Sequence, residues 1–265
     1  MRVILTGSEK YDSTKVLGFV AGKLDVTAYV IDRDLPSENT VNICEKYRVP
    51  VYSYNKINEA ILNNKIEKPD IGINYNYRRI IKNPLLNFPI NGIINFHPAP
   101  LPEHRGVGGC CYAIKYGYKQ WGVSCHYMDD GIDTGALIEV RKFDISGYNC
   151  SSIILERIIH EHMYELMEYI VNMLASGKIP SSIPQQDGGH YYSQKQLEKD
   201  KIIIGVETIE EIDHKIKAMW FPPYHGAHIE IDNTKYTLVN QDILNELENI
   251  YKFALEHKHL FDNAK

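Results

Sequence analysis

No apolar run in this 265-residue chain approaches the roughly 20 residues that span a bilayer, so membrane insertion is not expected. The N-terminal "RVILTG" reads as a strand rather than the apolar core of a secretory leader, and the expectation is a cytoplasmic protein. Basic excess is missing too. With 29 Lys+Arg against 34 Asp+Glu, the formal charge is −5, which offers no general positive field to a nucleic-acid backbone. Cysteine is sparse: Cys44, Cys110, Cys111, Cys125 and Cys150 form no C-x-x-C pair, so neither a structural zinc site nor a disulfide framework is expected. The adjacent Cys110 and Cys111 read as packing residues. His160, Glu161 and His162 do not make H-E-x-x-H, and two residues apart on a helix the imidazoles do not face each other. The first strand runs into "TGSEKY" without the G-x-G-x-x-G that seats a pyrophosphate on a helix N-terminus. Neither a metal nor a nicotinamide cofactor is therefore expected.

What is present is an alternation of short β-branched runs with helical patterns, the rhythm of βαβ units and a mostly parallel sheet. The strands are expected at "RVILT", "VTAYVID", "VPVYSY", "DIGINYN" and "GIINFH", with helices between them and Ser37 as an N-cap before "ENTVNICEKY". The fold class is α/β with a Rossmann-like sheet, whose ligands bind beyond the carboxyl ends of the strands. After "GVSCHYMDD" the segment "GIDTGALIEVRKFDI" reads as a loop and then a strand. Ile154, Leu155, Ile158, Ile159, Met163, Leu166, Ile170 and Leu174 recur at helical spacing from about Ser151 to Ala175, and Gly177 stops that helix. The Pro, Ser, Gln and Gly texture of "IPSSIPQQDGGHYY" then marks a boundary. The division expected is a catalytic domain over 1–180 and a small α+β appendage over 181–265, with a β-hairpin at "AHIEIDNTKYTLV" and a closing helix from about Ile243 to Leu260. His257 and His259 in that tail are expected to face solvent.

Chemistry concentrates in two stretches. In "NGIINFHPAPLPEHRG" an apolar strand ends in Asn95 and His97, which lie two apart and so share a face, and prolines fix the exit loop. Two such donors where a sheet stops suit a developing oxyanion, and the imidazole suits proton transfer. Alternatively, Asn95 ties a turn and His97 packs beneath the prolines. In "GVSCHYMDDGIDTGALI", Asp129, Asp130 and Asp133 cluster among glycines. A carboxylate brought to His97 would hold its tautomer and favour its charged form. A solvated acidic turn is the other reading; the spacing is not that of an EF-hand loop. His126, two residues after Ser124 on a strand, reads as a satisfied core or cleft histidine.

Together, and in this order, "INFHPAPLPEHRG" and "GVSCHYMDDGIDTGALI" resemble the paired motifs of the folate-dependent formyltransferases, most closely from about residue 70 to 140. The resemblance implies that Asn95, His97 and Asp133 are the catalytic three. It implies 10-formyltetrahydrofolate as formyl donor, its pterin held by "YNYRRII" and "MDDGID", at Tyr77, Arg78, Ile80, Met128, Asp129 and Gly131. Arg78 and Arg79 also fit a solvated surface pair. The implied reaction is direct attack of an amine on the formyl carbon, with no metal and no covalent enzyme intermediate.

Within that family, the acidic "VETIEEID" of the appendage suits RNA poorly. The chain length and "MWFPPYHGAHIEIDN" look most like the N-formyltransferases of nucleotide-linked amino sugars. The acceptor expected is a dTDP-linked 3- or 4-amino-dideoxyhexose destined for lipopolysaccharide, O-antigen or another surface glycan. It would be held by Glu103, His104 and Arg105, with His104 and Arg105 at the cleft mouth, and by Tyr224 as an aromatic face beside Trp220 and Phe221; Arg105 also fits a surface residue or carboxylate partner, and Trp220 and Phe221 also fit a seal of the small domain on the large one. The family also implies a homodimer, with the small C-terminal unit as the natural place for an interface. Methionyl-tRNA or another amine as acceptor, and a non-catalytic binder of folate or nucleotide sugar, are the alternatives.

Overall fold

The computed structural model describes residues 1–8 and 13–256. In chain order the strands are β1 (Arg2–Gly7), β2 (Asp25–Ile31), β3 (Val51–Ser53), β4 (Ile71–Tyr75), β5 (Ile93–His97), β6 (His104–Gly106), β7 (Gln120–Tyr127), β8 (Leu137–Asp144), β9 (His190–Tyr192), β10 (His228–Ile231) and β11 (Thr234–Thr237). The helices are α1 (Ser13–Ala21), α2 (Glu38–Tyr47), α3 (Tyr54–Leu62), α4 (Gly109–Lys115), α5 (Ser152–Ala175), α6 (Gln194–Asp200), α7 (Ile209–Met219) and α8 (Gln241–Glu256). The remainder of the expected last helix, with His257 and His259, lies outside the described residues, as do residues 9–12, which include the end of "TGSEKY".

Among the described residues, seven strands form one sheet in the order β3-β2-β1-β4-β5-β7-β8. The first five are parallel and β7 joins β5 antiparallel, so the sheet is α/β and mostly parallel, as expected. Strands covered on both faces must be apolar nearly throughout, and β4 and β5 are buried along their whole length. One face packs Ile4, Ala28, Val30 and Ile93 against Ile57 of α3 and the turn carrying Ile81, Leu85 and Leu86. Ser37 caps α2 by accepting from the Thr40 amide at 3.3 Å. Ile73 of β4 is fully buried between β1 and β5. Truncation of Ile73 to Ala should lower the unfolding free energy by about 2–5 kcal/mol, read as a shifted denaturant midpoint at unchanged slope.

The chain separates into two compact units that interleave along the sequence. The first gathers residues 1–105, 122–143 and 159–191; the second gathers 106–121, 144–158 and 192–265. In the second, the Tyr112 ring of α4 stacks on Tyr192 with centroids 3.8 Å apart, and its hydroxyl donates to Asp200 at 3.0 Å. Glu246 of α8 accepts from the backbone amide of Ser151 at 2.7 Å. Thr208 and Glu211 close a capping box at the start of α7. The hairpin β10-β11 turns through Asp232 and Asn233, both left-handed, as a tight two-residue turn requires. α4, β9 and α6 have no counterpart in the sequence reading. Cys110 and Cys111 lie buried within α4.

Candidate active site

All residues of the site described next belong to the first unit. β5 presents Asn95 and His97 on one face, both buried, at the carboxyl end of the sheet. The antiparallel register of β7 sets His126 opposite Asn95 and Ser124 opposite His97. The proline loop returns over this strand end. Ser124 Oγ donates to the Ala99 carbonyl at 2.7 Å and accepts from the Leu101 amide at 2.9 Å, and the His104 amide donates to the Pro100 carbonyl at 2.9 Å. The His104 carbonyl thereby lies 2.9 Å from His97 Nε2. A carbonyl only accepts, so Nε2 carries the proton and the neutral ring has a bare Nδ1. That Nδ1 faces Asp133 Oδ2 at 3.6 Å, and the other carboxylate oxygen lies 3.6 Å from His126 Nε2. Asn95, His97 and Asp133 are thus brought together.

Asp133 reaches this position through a left-handed backbone (φ 55°), which an aspartate tolerates better than most residues. Its loop is clamped. Gln185 Nε2 donates to the carbonyls of Asp133 at 2.8 Å and Gly135 at 2.7 Å. A Cβ at Gly135 would fall on the Tyr127 carbonyl, so only glycine permits that approach.

Burial pushes the His97 imidazole below its ordinary value, against the opposing pull of Asp133 and of the bond to the His104 carbonyl. The unfolded chain takes up this proton near pH ~6.5, before the folded protein does. The stability that neutral His97 contributes is therefore full above that pH and is lost as pH falls toward the lower folded-state value. Unfolding free energy should drop more steeply below pH ~6.5 in the wild type than in His97→Asn; parallel curves would contradict this.

The remaining expected residues are placed as follows. Tyr77 and Met128 come from separate loops and pack at the rim of the same apolar cluster beneath the sheet. The Tyr77 hydroxyl donates to the Ile31 carbonyl at 3.4 Å. Around them Arg78, Ile80, Asp129 and Gly131 are exposed. Asp129 Oδ1 accepts from the Gly131 amide at 3.0 Å and from the Thr134 hydroxyl at 2.6 Å, so this carboxylate braces its own loop. Glu103 is exposed and pairs with Lys142 at 2.8 Å. Arg105 is half-buried and donates through Nη2 to Gln185 Oε1 at 3.3 Å. His104 differs from expectation: its side chain is buried, not at a cleft mouth, because the turn into β6 folds the ring inward while its carbonyl holds His97. Tyr224 is about half exposed beside Phe221 and belongs to the second unit.

Comparison with known proteins bears on the family. A family model described as Formyl transferase matches residues 26–170. The chain is 30% identical over 181 residues to a GDP-perosamine N-formyltransferase of Brucella melitensis biotype 1, covering 68% of each chain. It is 25% identical over 256 residues to a methionyl-tRNA formyltransferase of Syntrophomonas wolfei, covering 93% of this chain and 81% of that one. In fold it is similar to the N-formyltransferase of Helicobacter canadensis solved with folinic acid and dTDP-3-aminofucose, with TM-score 0.68, 19% identity and coverage of 89% and 86%. With the family model spanning more than half of its length and the site assembled at the strand ends, this chain belongs to the formyl transferase family.

Proposed function

We propose that the protein transfers a formyl group from 10-formyltetrahydrofolate to the amine of a nucleotide-linked amino-deoxysugar. The observation that carries this reading is the meeting of Asn95, His97 and Asp133 at the carboxyl end of β5. Tyr77 and Met128, with the main chain of residues 78–80 and 129–131, would hold the folate, which supplies the formyl group. Asn95 has one amide hydrogen beyond that directed at His126, and aims it at the oxygen that gains charge when the amine adds. His97, kept neutral by burial, takes the amine proton on Nδ1, and Asp133 stabilises the imidazolium that results. The adduct then collapses: the bond from the formyl carbon to the folate nitrogen breaks, that nitrogen takes the proton back from His97 as tetrahydrofolate leaves, and the ring returns to neutral. Arg105 is suited to the acceptor's pyrophosphate through its fork of donors.

The sugar acceptor is supported by the Brucella and Helicobacter relatives, whose names specify perosamine and aminofucose. A dTDP-linked 3- or 4-amino-dideoxyhexose is the preferred substrate, for a surface glycan such as lipopolysaccharide or its O-antigen, made by a cytoplasmic homodimer. The methionyl-tRNA relative, aligned over most of the chain, favours a second reading, tRNA as acceptor. The net charge of −5 weighs against it. Among the described residues no helix is long and apolar enough to cross a membrane.

The test is incubation with 10-formyltetrahydrofolate and a panel of dTDP-, UDP- and GDP-linked 3- and 4-amino sugars, read by mass spectrometry for gain of one formyl group. One formylated sugar is the expected result. Formylation of methionyl-tRNA with no sugar product would overturn the acceptor, and no product with any amine would overturn the reaction.

A further inference from the structure

Four polar side chains stand in one row across the strand ends. In register, Thr6 of β1 lies opposite Asn74 of β4, Asn74 opposite Asn95 of β5, and Asn95 opposite His126 of β7. All four are buried, at 1%, 7%, 9% and 2% exposure. They lie on the face that is otherwise apolar one step back, at Ile4 and Ile93. Only Asn95 belongs to the catalytic three.

The His126 end of the row sets its direction. His126 Nδ1 lies 2.8 Å from the Tyr127 carbonyl, which only accepts, so Nδ1 bears a hydrogen, and the Nδ1–H tautomer presents a bare Nε2. In that tautomer Nε2, 2.9 Å from Asn95 Nδ2 and 3.6 Å from Asp133 Oδ1, accepts from the Asn95 amide. Asn95 Oδ1 is thereby turned toward Asn74, whose Nδ2 donates to it at 2.6 Å. Asn74 Oδ1 then accepts from the Thr6 hydroxyl, which closes the row. With His126 in its Nδ1–H form, every donor of the row has an acceptor in this orientation. Reversing a single amide would set N–H against N–H or oxygen against oxygen in a buried site.

We propose that Thr6, Asn74 and His126 are positioning residues that fix the amide of Asn95, leaving its second Nδ2 hydrogen as a preset donor for the reacting oxygen. The kinetic consequence rests on the formyl-transfer reading; the orientation itself does not. A donor held by a polarised row loses nothing to rotation when charge appears, which is the advantage of a preorganised site. An asparagine free to rotate would present its oxygen to the oxyanion about as readily as its nitrogen.

The decisive variant is Asn74→Asp, nearly isosteric and unable to donate when ionised. Asn95 must then turn its Nδ2 toward residue 74, its Oδ1 faces His126, and His126 must carry a proton on Nε2. Nitrogen-15 NMR of labelled imidazoles is expected to show His126 as the neutral Nδ1–H form in the wild type and protonated on Nε2 in Asn74→Asp. With the formyl acceptor in hand, kcat should fall by about 100-fold, approaching loss of the donor itself, at nearly unchanged KM. Thr6→Val should move both readouts in the same direction by less, and Thr6→Ser should restore them. An unchanged tautomer in both Asn74→Asp and Thr6→Val, or a wild-type His126 protonated on both nitrogens, would overturn the proposal. Because the NMR comparison needs no substrate, it decides the orientation even if no amine is formylated. A tautomer change without any change in kcat would overturn the positioning role.

Discussion

Asn95→Ala is expected to lower kcat by about 100- to 1000-fold, the usual cost of removing one donor aimed at a developing oxyanion. The size of the effect follows from burial. At 9% exposure little water can replace the missing N–H, and the donor's aim is set before reaction by hydrogen bonds on both sides. The loss should fall on kcat rather than KM, since the interaction strengthens only as charge develops. Stability should fall as well. Asn74 Nδ2 and His126 Nε2 both lose their partner, at about 1–3 kcal/mol for each buried group left unsatisfied. Activity must therefore be compared under conditions where circular dichroism shows the variant folded. A folded Asn95→Ala enzyme retaining more than a tenth of wild-type kcat would remove Asn95 from the chemistry.

Asp133→Asn should lower the plateau rate by about 100- to 10,000-fold, the range in which positioned proton transfer contributes. It should also move the acid limb of the pH–rate profile, and the sign is fixed. Burial depresses the His97 pKa, and Asp133 is the largest influence opposing it. With an amide in place of the carboxylate, burial acts with less opposition and His97 holds its proton less tightly. In the proposed reaction neutral His97 is the proton acceptor, so activity should rise with pH through this pKa. The limb therefore shifts to lower pH in Asp133→Asn even as the plateau falls. A limb that moves upward, or a plateau that holds, would separate Asp133 from His97. Because Asp133 Oδ1 also approaches His126, the His126 tautomer should be recorded in this variant.

Asn95 and His97 were legible because strand alternation alone puts residues two apart on one face, and because polar side chains ending an apolar run are conspicuous. The βαβ rhythm gave the strand positions for the same reason: parallel strands covered on both faces are apolar runs. His126 was legible only as a core or cleft residue. Its place beside Asn95 depends on the register of β5 against β7, which joins residues 31 apart in the chain. Thr6 and Asn74 left a fainter signal of the same kind, since "RVILT" and "DIGIN" also close an apolar run with a polar residue. Gln185 sits in a stretch whose Pro, Ser and Gln texture suggested only a domain boundary, yet its amide holds both ends of the Asp133 turn. The interleaving of the two units escaped the sequence because α5 runs continuously through both, and its unbroken apolar stripe gives no sign of a division. Backbone roles, such as that of the His104 carbonyl, carry no residue signature at all.

The central claim is that the site moves a formyl group directly from folate to an amine. The most direct measurement is a single turnover with 10-formyltetrahydrofolate carrying carbon-13 in its formyl group, followed by NMR in the presence of the amino sugar found by the panel. The label is predicted to pass from the folate to the sugar amide in equal amount, with none held on the protein and no build-up of formate. Label accumulating as free formate in place of the amide, or appearing first on a protein side chain, would contradict direct transfer.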